Sequence, residues 1–189
     1  IKFRIVQSDT SSTGDLKSIL FGSDPIPTFF LAWTTTPWTL PGNTALAVKA
    51  DAQYVLAETG GERFILAEIL ASGLLPDGWE KIGSFQGSEL LALSYEPLYD
   101  PVQGGIPVRR FFHETEGSDG NRATLEVADG FTCAVVTEDF VSLEDGTGIV
   151  HVAPAFGDED LNVGRNHDLY FLQHVDMQGV LFGNYPGSG

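Results

Sequence analysis

The sequence holds one cysteine, Cys133. A lone thiol makes no internal disulfide and no thiolate zinc site, which fits a reducing compartment and predicts a cytoplasmic protein. In the apolar stretch FTCAVV, Cys133 is expected to be a small core residue. Positive charge is scarce as well. Ten Lys and Arg stand against 26 Asp and Glu, a formal charge of −16. That balance excludes a module that grips nucleic acid through a broad basic face. Arg109-Arg110 is the only basic pair, so a polyanion needs a local patch or a surface supplied from elsewhere. No apolar run approaches the ~18 residues of a membrane span, and no basic segment leads into an apolar one as in a signal peptide. Internal repeats and low-complexity tracts are absent.

What is present is a well-stocked interior: 42% hydrophobic residues with 13 Phe, broken by 22 Gly and 10 Pro into short elements. PTFFLAWT (27–34), TALAV (44–48) and YVLAE (54–58) read as strands. Gly60-Gly61 turns the last of these into a hairpin with the strand around 63–66. Residues 67–72 suit a short helix stopped by Gly73, and 87–99 reads as mostly extended. HETEGSDGNRAT (113–124) reads as an exposed loop or hairpin tip. Strands are expected at 131–136 and 149–152, and a helix at 158–168 with acids in its first turn. The fold class is α+β: a β-barrel-like core with a few short peripheral helices. Residues 1–189 are expected to form a single domain, with 1–27 and 177–189 as flanking or linker segments. Opening on Ile1 and closing on NYPGSG, the chain reads as a piece of something longer.

Two motifs stand out. The first is WTTTPWTLPGN (33–43), an apolar strand that ends in three hydroxyls. Successive side chains of a strand alternate faces, so three in a row cannot line one pocket unless the strand breaks. Pro37 breaks it: it disfavours helix at Thr36 and cannot donate to a sheet ladder. Thr35 and Thr36 can then present hydroxyls together, with Thr34 partly structural. The second motif is GTGIVHVAPAFGDED (146–160). A short strand delivers His151, Ala153-Pro154 turns, and Gly157 opens a helix bearing Asp158, Glu159 and Asp160.

Together these motifs resemble the two signature segments of the editing domain of isoleucyl-tRNA synthetases. The resemblance extends over roughly 29–176. Editing domains of leucyl- and valyl-tRNA synthetases are related, but they typically carry Arg where this chain has Thr36 and lack the HVAP-type histidine. The acidic cluster reads GDED where many relatives read GEDD-like, with Asp160 on the matching position. Signatures of the HIGH and KMSKS kind are missing, so neither amino-acid activation nor tRNA charging is expected.

The resemblance implies hydrolysis of the ester joining a wrong amino acid, chiefly valine, to isoleucine tRNA. It leaves open whether valyl-adenylate is also a substrate. The implied partners are the 3′ end of mischarged tRNA and the remainder of a parent synthetase, with no membrane. No cofactor and no metal is implied. An aminoacyl ester is already activated, so the site has to position water and stabilise an oxyanion rather than build a strong nucleophile. The resemblance gives Asp160 the substrate's α-ammonium, a charge-assisted pairing. On residues alone the three acids simply cap a helix, a role kept for Asp158. The resemblance implicates Thr34, Thr35 and Thr36 as a group, with Thr39 and Asn43 as further polar wall; turn chemistry explains the last two equally well. A threonine nucleophile is disfavoured, because no base adjoins it. His151 reads either as a general base or, as the resemblance favours, as a wall admitting valine and refusing isoleucine. One methylene is worth only about 1–3 kcal/mol, a limit whose standard example is this same isoleucine–valine pair. Trp33 and Trp38 can stack on a terminal adenine, although burial in the core is the simpler expectation. His113, His167 and His174 stand at no ligand spacing, and a metal shared by His167 and Asp160 is not expected. Two rival functions remain: a non-catalytic barrel module that binds a small amino acid or nucleotide, and a purely structural insertion.

Overall fold

The computed structural model describes residues 1–6, 14–21, 26–113, 123–181 and 183–185. The polar stretch read as a loop tip falls largely on 114–122, outside the described residues. In chain order the elements are β1 (Lys2–Val6), α1 (Gly14–Phe21), β2 (Thr28–Leu31), a 3-10 helix η1 (Pro37–Gly42), β3 (Ala45–Val48), β4 (Gln53–Thr59), β5 (Glu62–Ala67) and α2 (Glu68–Leu74). Then come β6 (Glu80–Gln86), a second 3-10 helix η2 (Gly87–Ala92), β7 (Ser94–Tyr95), β8 (Val108–His113), β9 (Ala123–Val127), β10 (Cys133–Thr137), β11 (Val150–Val152), α3 (Asp158–Asn166) and β12 (Tyr170–Leu172). None of the described helices is long and apolar enough to cross a membrane. The chain divides into two compact units. Unit 1 is Ile1–Thr35, Leu46–Glu96 and Ala134–His151; unit 2 is Thr36–Ala45, Pro97–Cys133 and Val152–Gly189.

Unit 1 is built on a nine-stranded mixed sheet of order β11-β3-β10-β7-β1-β2-β5-β4-β6, whose end residues Ala45, Cys133 and Val152 belong to unit 2. The β4–β5 hairpin closes as the sequence predicts, from Tyr54↔Ala67 to Thr59↔Glu62, over Gly60 (φ 60°) and Gly61 (φ 78°). Two consecutive positive φ values are what a type I′ hairpin turn demands, and glycine adopts them without a Cβ clash. Strand β2 joins β5 in parallel, and β1 joins β2 antiparallel. Strand β1 lies within 1–27, and its Phe3 is fully buried. The run Tyr54–Ala57 is buried at every position, as in a strand covered on both faces. Helix α2 supplies one cover: its Ala71 packs in a cluster with Val55, Ala57, Phe64 and Leu66.

A closed barrel is not found among the described residues. The strand order runs from β11 at one end to β6 at the other, and a barrel needs its first and last strands to pair. Short alternating strands look the same in sequence whether the sheet closes or stays open. The stretch 87–99 also differs from its expected extended form. Its first part is η2, held by a capping box in which Glu89 accepts from the Gln86 N–H at 2.7 Å. Gly87 permits this turn, since a Cβ there would stand 2.0 Å from the Lys49 carbonyl oxygen.

Unit 2 carries a three-stranded antiparallel sheet of order β12-β8-β9 and the helix α3. Gly164 lets α3 approach: a Cβ would meet Pro154 at 2.8 Å and the Phe111 ring at 3.1 Å. The basic pair lies on β8. Arg109 lies over Phe171 at 5.0 Å, and Arg110 lies over Tyr170 at 5.4 Å while donating from Nε to the Asp168 carbonyl at 2.7 Å. Cys133 is buried, as expected of a small core residue.

Candidate functional site

In unit 1 the two sequence motifs start side by side. Trp33 forms a parallel bridge with Val150, so Thr34 and His151 are the next residues on adjacent chain segments. The later segment is fixed by the turn before it. The N–H of Ala67 donates to the Thr147 carbonyl at 2.9 Å. The Tyr54 hydroxyl donates to the Gly148 carbonyl at 2.7 Å and accepts from the Lys49 N–H at 2.9 Å. Gly148 (φ +71°) is required twice over, because a Cβ would also lie 2.3 Å from Ala67 Cβ. Burial pushes the Tyr54 hydroxyl up to about 12, so it stays a donor at neutral pH. Within this frame Thr34 is half-buried, Thr35 is exposed and His151 is buried. Burial alone lowers His151 to about 4, which keeps its imidazole neutral at pH 7.

Both segments continue by one peptide bond into unit 2, at Thr36 and at Val152. There the backbone joins them. The Thr44 N–H donates to the Val152 carbonyl at 3.0 Å, and Asn43 Nδ2 donates to the same carbonyl at 3.4 Å and to Ala45 O at 2.9 Å. The strand has already ended at Leu31 and the chain bends at Thr35, earlier than the break expected from Pro37; Thr36 (φ −124°, ψ 65°) is the N-cap of η1, and Pro37 starts it. The N–H and Oγ1 of Thr39 both donate to the Thr36 carbonyl, at 3.1 and 2.8 Å, and the two hydroxyl oxygens stand 3.5 Å apart. Thr39 and Asn43 are buried and serve the turn, while Thr36 is half-buried.

The acid is set by the other half of this junction. After Val152 the chain turns through Ala153-Pro154, and Gly157 is the N-cap of α3. Asp158 therefore occupies the first helical position rather than the cap expected of it. Asp160 points back: its Oδ2 accepts from the Ala153 N–H at 2.8 Å. Burial raises the Asp160 carboxyl above the usual range, and the Ala153 N–H pulls it the other way. A cation brought to such a group lowers its pKa and is held by it.

The tryptophans are not buried, contrary to the simpler expectation: Trp33 is 53% exposed and Trp38 62%. The strand has already broken at Leu31, so the apolar run no longer predicts which way they face. Two histidines read as lacking a role turn out to be engaged. His113 pairs with Asp168 at 2.8 Å, and buried His174 reaches the Trp38 carbonyl at 2.9 Å. A separate cavity of about 260 Å³ lies in unit 1 against Arg4, Leu20, Pro27 and Glu96, and none of the predicted site residues lines it.

The architecture matches solved structures. A crystal structure of a leucyl-tRNA synthetase CP1 domain, GlLeuRS-CP1, superposes with a TM-score of 0.61 at 21% identity, covering 86% of this chain and 57% of that one. The editing domain of P. knowlesi cytosolic leucyl-tRNA synthetase follows at 0.54 and 12% identity, covering 85% and 59%. The fold is thus that of synthetase editing domains. No family model matches the chain. Its sequence relatives are more specific. It is 41% identical over 189 residues to an isoleucine--tRNA ligase of Dehalococcoides mccartyi, which is 100% of this chain and 18% of that protein. It is 44% identical over 142 residues to isoleucine--tRNA ligase 2 of Pseudomonas fluorescens, 75% of this chain and 11% of that protein. Over its whole length the chain is homologous to one domain-sized segment of isoleucyl-tRNA synthetases.

Proposed function

We propose that this chain is the editing domain of an isoleucyl-tRNA synthetase and hydrolyses mischarged Val-tRNA(Ile). Water adds to the ester carbonyl carbon, the tetrahedral intermediate expels the ribose oxygen, and valine and uncharged tRNA leave. The observation that carries this reading is the junction at Val152, where Asn43 and Thr44 bond one carbonyl and Asp160 bonds the next N–H. It brings the hydroxyl-bearing turn and the acid-bearing turn of unit 2 into one hydrogen-bonded network.

In this reading Asp160 holds the α-ammonium, and Thr34, Thr35 and Thr36 supply hydroxyls to the ester and terminal ribose. Thr39 and Asn43 hold the turn that carries Thr36. His151 acts as a wall and not as a base, because an imidazole lowered to about 4 is a poor proton acceptor for water at neutral pH. Trp38 is exposed and offers its ring to the terminal adenine. The domain acts within a larger synthetase, with the 3′ end of tRNA as its macromolecular partner, in the cytoplasm and without a cofactor or metal.

The test is single-turnover deacylation of Val-tRNA(Ile) and Ile-tRNA(Ile), by the chain alone and by a full-length isoleucyl-tRNA synthetase carrying it in place of its own segment. The expected result is hydrolysis of the valyl ester in preference to the isoleucyl ester. No turnover above the uncatalysed rate in either context would favour a non-catalytic binding module. Intact proofreading in a synthetase whose inserted segment carries Asp160→Ala would favour a structural insertion.

A further inference from the structure

His174 is the one histidine of unit 2 whose side chain is fully buried among the described residues. Its Nε2 lies 2.9 Å from the Trp38 carbonyl. A carbonyl only accepts, so Nε2 carries the proton and donates, and Nδ1 is left as a bare acceptor. That Nδ1 is buried with no hydrogen-bond partner among the described residues. The ring packs against Phe156, with centroids 4.6 Å apart, and edge-on to Tyr185.

Both contacts lead to the proposed site. Trp38 lies inside η1, between Thr36 and Thr39, whose carbonyl and donors close that turn. Phe156 ends the Ala153-Pro154 turn, its N–H donating to the Ala153 carbonyl at 3.0 Å, while the N–H of Ala153 holds Asp160. Phe156 also lies close against η1: a Cβ on Gly42 would stand 2.6 Å from its ring and 3.0 Å from the Leu172 carbonyl oxygen. One imidazole thus bonds the backbone of the hydroxyl-bearing turn and packs, tilted, against the last residue of the acid-bearing turn. Of the side chains with this shape, only the imidazole also provides an N–H; a phenyl ring would fill the same space and leave the Trp38 carbonyl without its donor.

We infer that His174 is a positioning residue for the hydrolytic site, fixing η1 against the Ala153–Phe156 turn so that the Thr36 hydroxyl and the Asp160 carboxylate keep their separation. It touches neither water nor ester. This rests on the editing reading above. A displacement of about 1 Å at a reacting group lowers rate by about 10–100-fold, so the effect falls on kcat while KM for the valyl ester stays close to its original value.

The experiment compares His174→Phe, His174→Gln and the unmodified sequence, each within a full-length isoleucyl-tRNA synthetase carrying this segment, in steady-state deacylation of Val-tRNA(Ile). His174→Phe keeps the packing and removes the N–H; His174→Gln keeps an N–H near the same reach. The expected result is a kcat loss of about 10–100-fold for Phe with KM within about twofold, and recovery of most of it in Gln. Equal activity of Phe and unmodified enzyme would overturn the inference, as would equal losses in Phe and Gln. Unfolding of both variants by circular dichroism would also overturn it, assigning His174 to stability alone. Absence of deacylation by the unmodified enzyme would instead overturn the editing reading itself.

Discussion

Asp160 offers the sharpest perturbation, because two substitutions separate the proposed pairing with the α-ammonium from the observed bond to the Ala153 N–H. Asp160→Asn removes the charge but keeps an oxygen able to accept from the Ala153 N–H, the 2.8 Å bond that holds the turn. Asp160→Ala removes both. A hydrogen bond to a charged group contributes about 1.5–3 kcal/mol, against roughly 1 for a neutral one. At about 1.4 kcal/mol per factor of ten, losing the ammonium's charged partner weakens binding by about 10–100-fold. Desolvation, which raises the Asp160 carboxyl, puts this toward the upper end, since a partly buried pair is less screened than an exposed one. The Ala variant should lose the same affinity and, in addition, about 1–3 kcal/mol of stability from the stranded N–H. The assay is isothermal titration with a hydrolysis-resistant valyl-adenosine analogue, paired with urea denaturation of each variant. Unchanged affinity in Asp160→Asn would refute the ammonium role. A large stability loss in Asn as well as Ala would show that the charge serves the fold.

His151→Ala should widen the acyl pocket and bring hydrolysis of Ile-tRNA(Ile) up toward that of the valyl ester, a gain set by the ~1–3 kcal/mol worth of one methylene; loss of valyl turnover with no isoleucyl gain would make His151 a base. The lowered pKa of His151 also has a sign for stability. Unfolding lets it take a proton at about 6.5 that the folded chain refuses until about 4. Stability is therefore lost as pH falls from about 6.5 toward 4, amounting to roughly 2–3 kcal/mol by pH 4.5. His151→Gln should remove that part of the acid destabilisation when urea midpoints are compared at pH 7 and pH 4.5. Asp160 must be ionised to hold an ammonium, so its raised pKa predicts that analogue binding fails on acidification at a higher pH than an ordinary carboxylate would set; titrations across pH check this. Tyr54→Phe strands the Lys49 N–H and the Gly148 carbonyl and should cost about 1–3 kcal/mol by denaturant midpoint.

Local chemistry made part of this structure legible in the sequence. YVLAETGGERFILAE announces its own hairpin, since the turn glycines and the apolar runs agree. The helix after Gly157 is equally local, with its acids where the dipole favours them. Long-range choices were not legible. Whether the strands close into a barrel depends on how the outer strands pair, and no residue pattern encodes that. The helix η2 was missed because a capping box led by Gln86 departs from the Ser or Thr that usually signals one. Exposure of Trp33 and Trp38 was missed because an apolar run shows that a segment is buried somewhere, not where the burial ends. At the candidate site, the two motifs were visible through their family resemblance. Asn43's bond to Val152 spans 109 residues and His174's to Trp38 spans 136, so neither has a spacing signature. The one available hint for His174 was a single imidazole in the apolar stretch YFLQHV.

The most direct measurement is an NMR titration of the chain with the hydrolysis-resistant valyl-adenosine analogue, following the backbone amides of Thr39 and Ala153. Thr39 reports the hydroxyl-bearing turn and Ala153 reports Asp160. The account predicts that both resonances move along a single saturating curve with one Kd, and that Asp160→Asn weakens the two together. Movement of one amide without the other, or two curves with different Kd values, would contradict it.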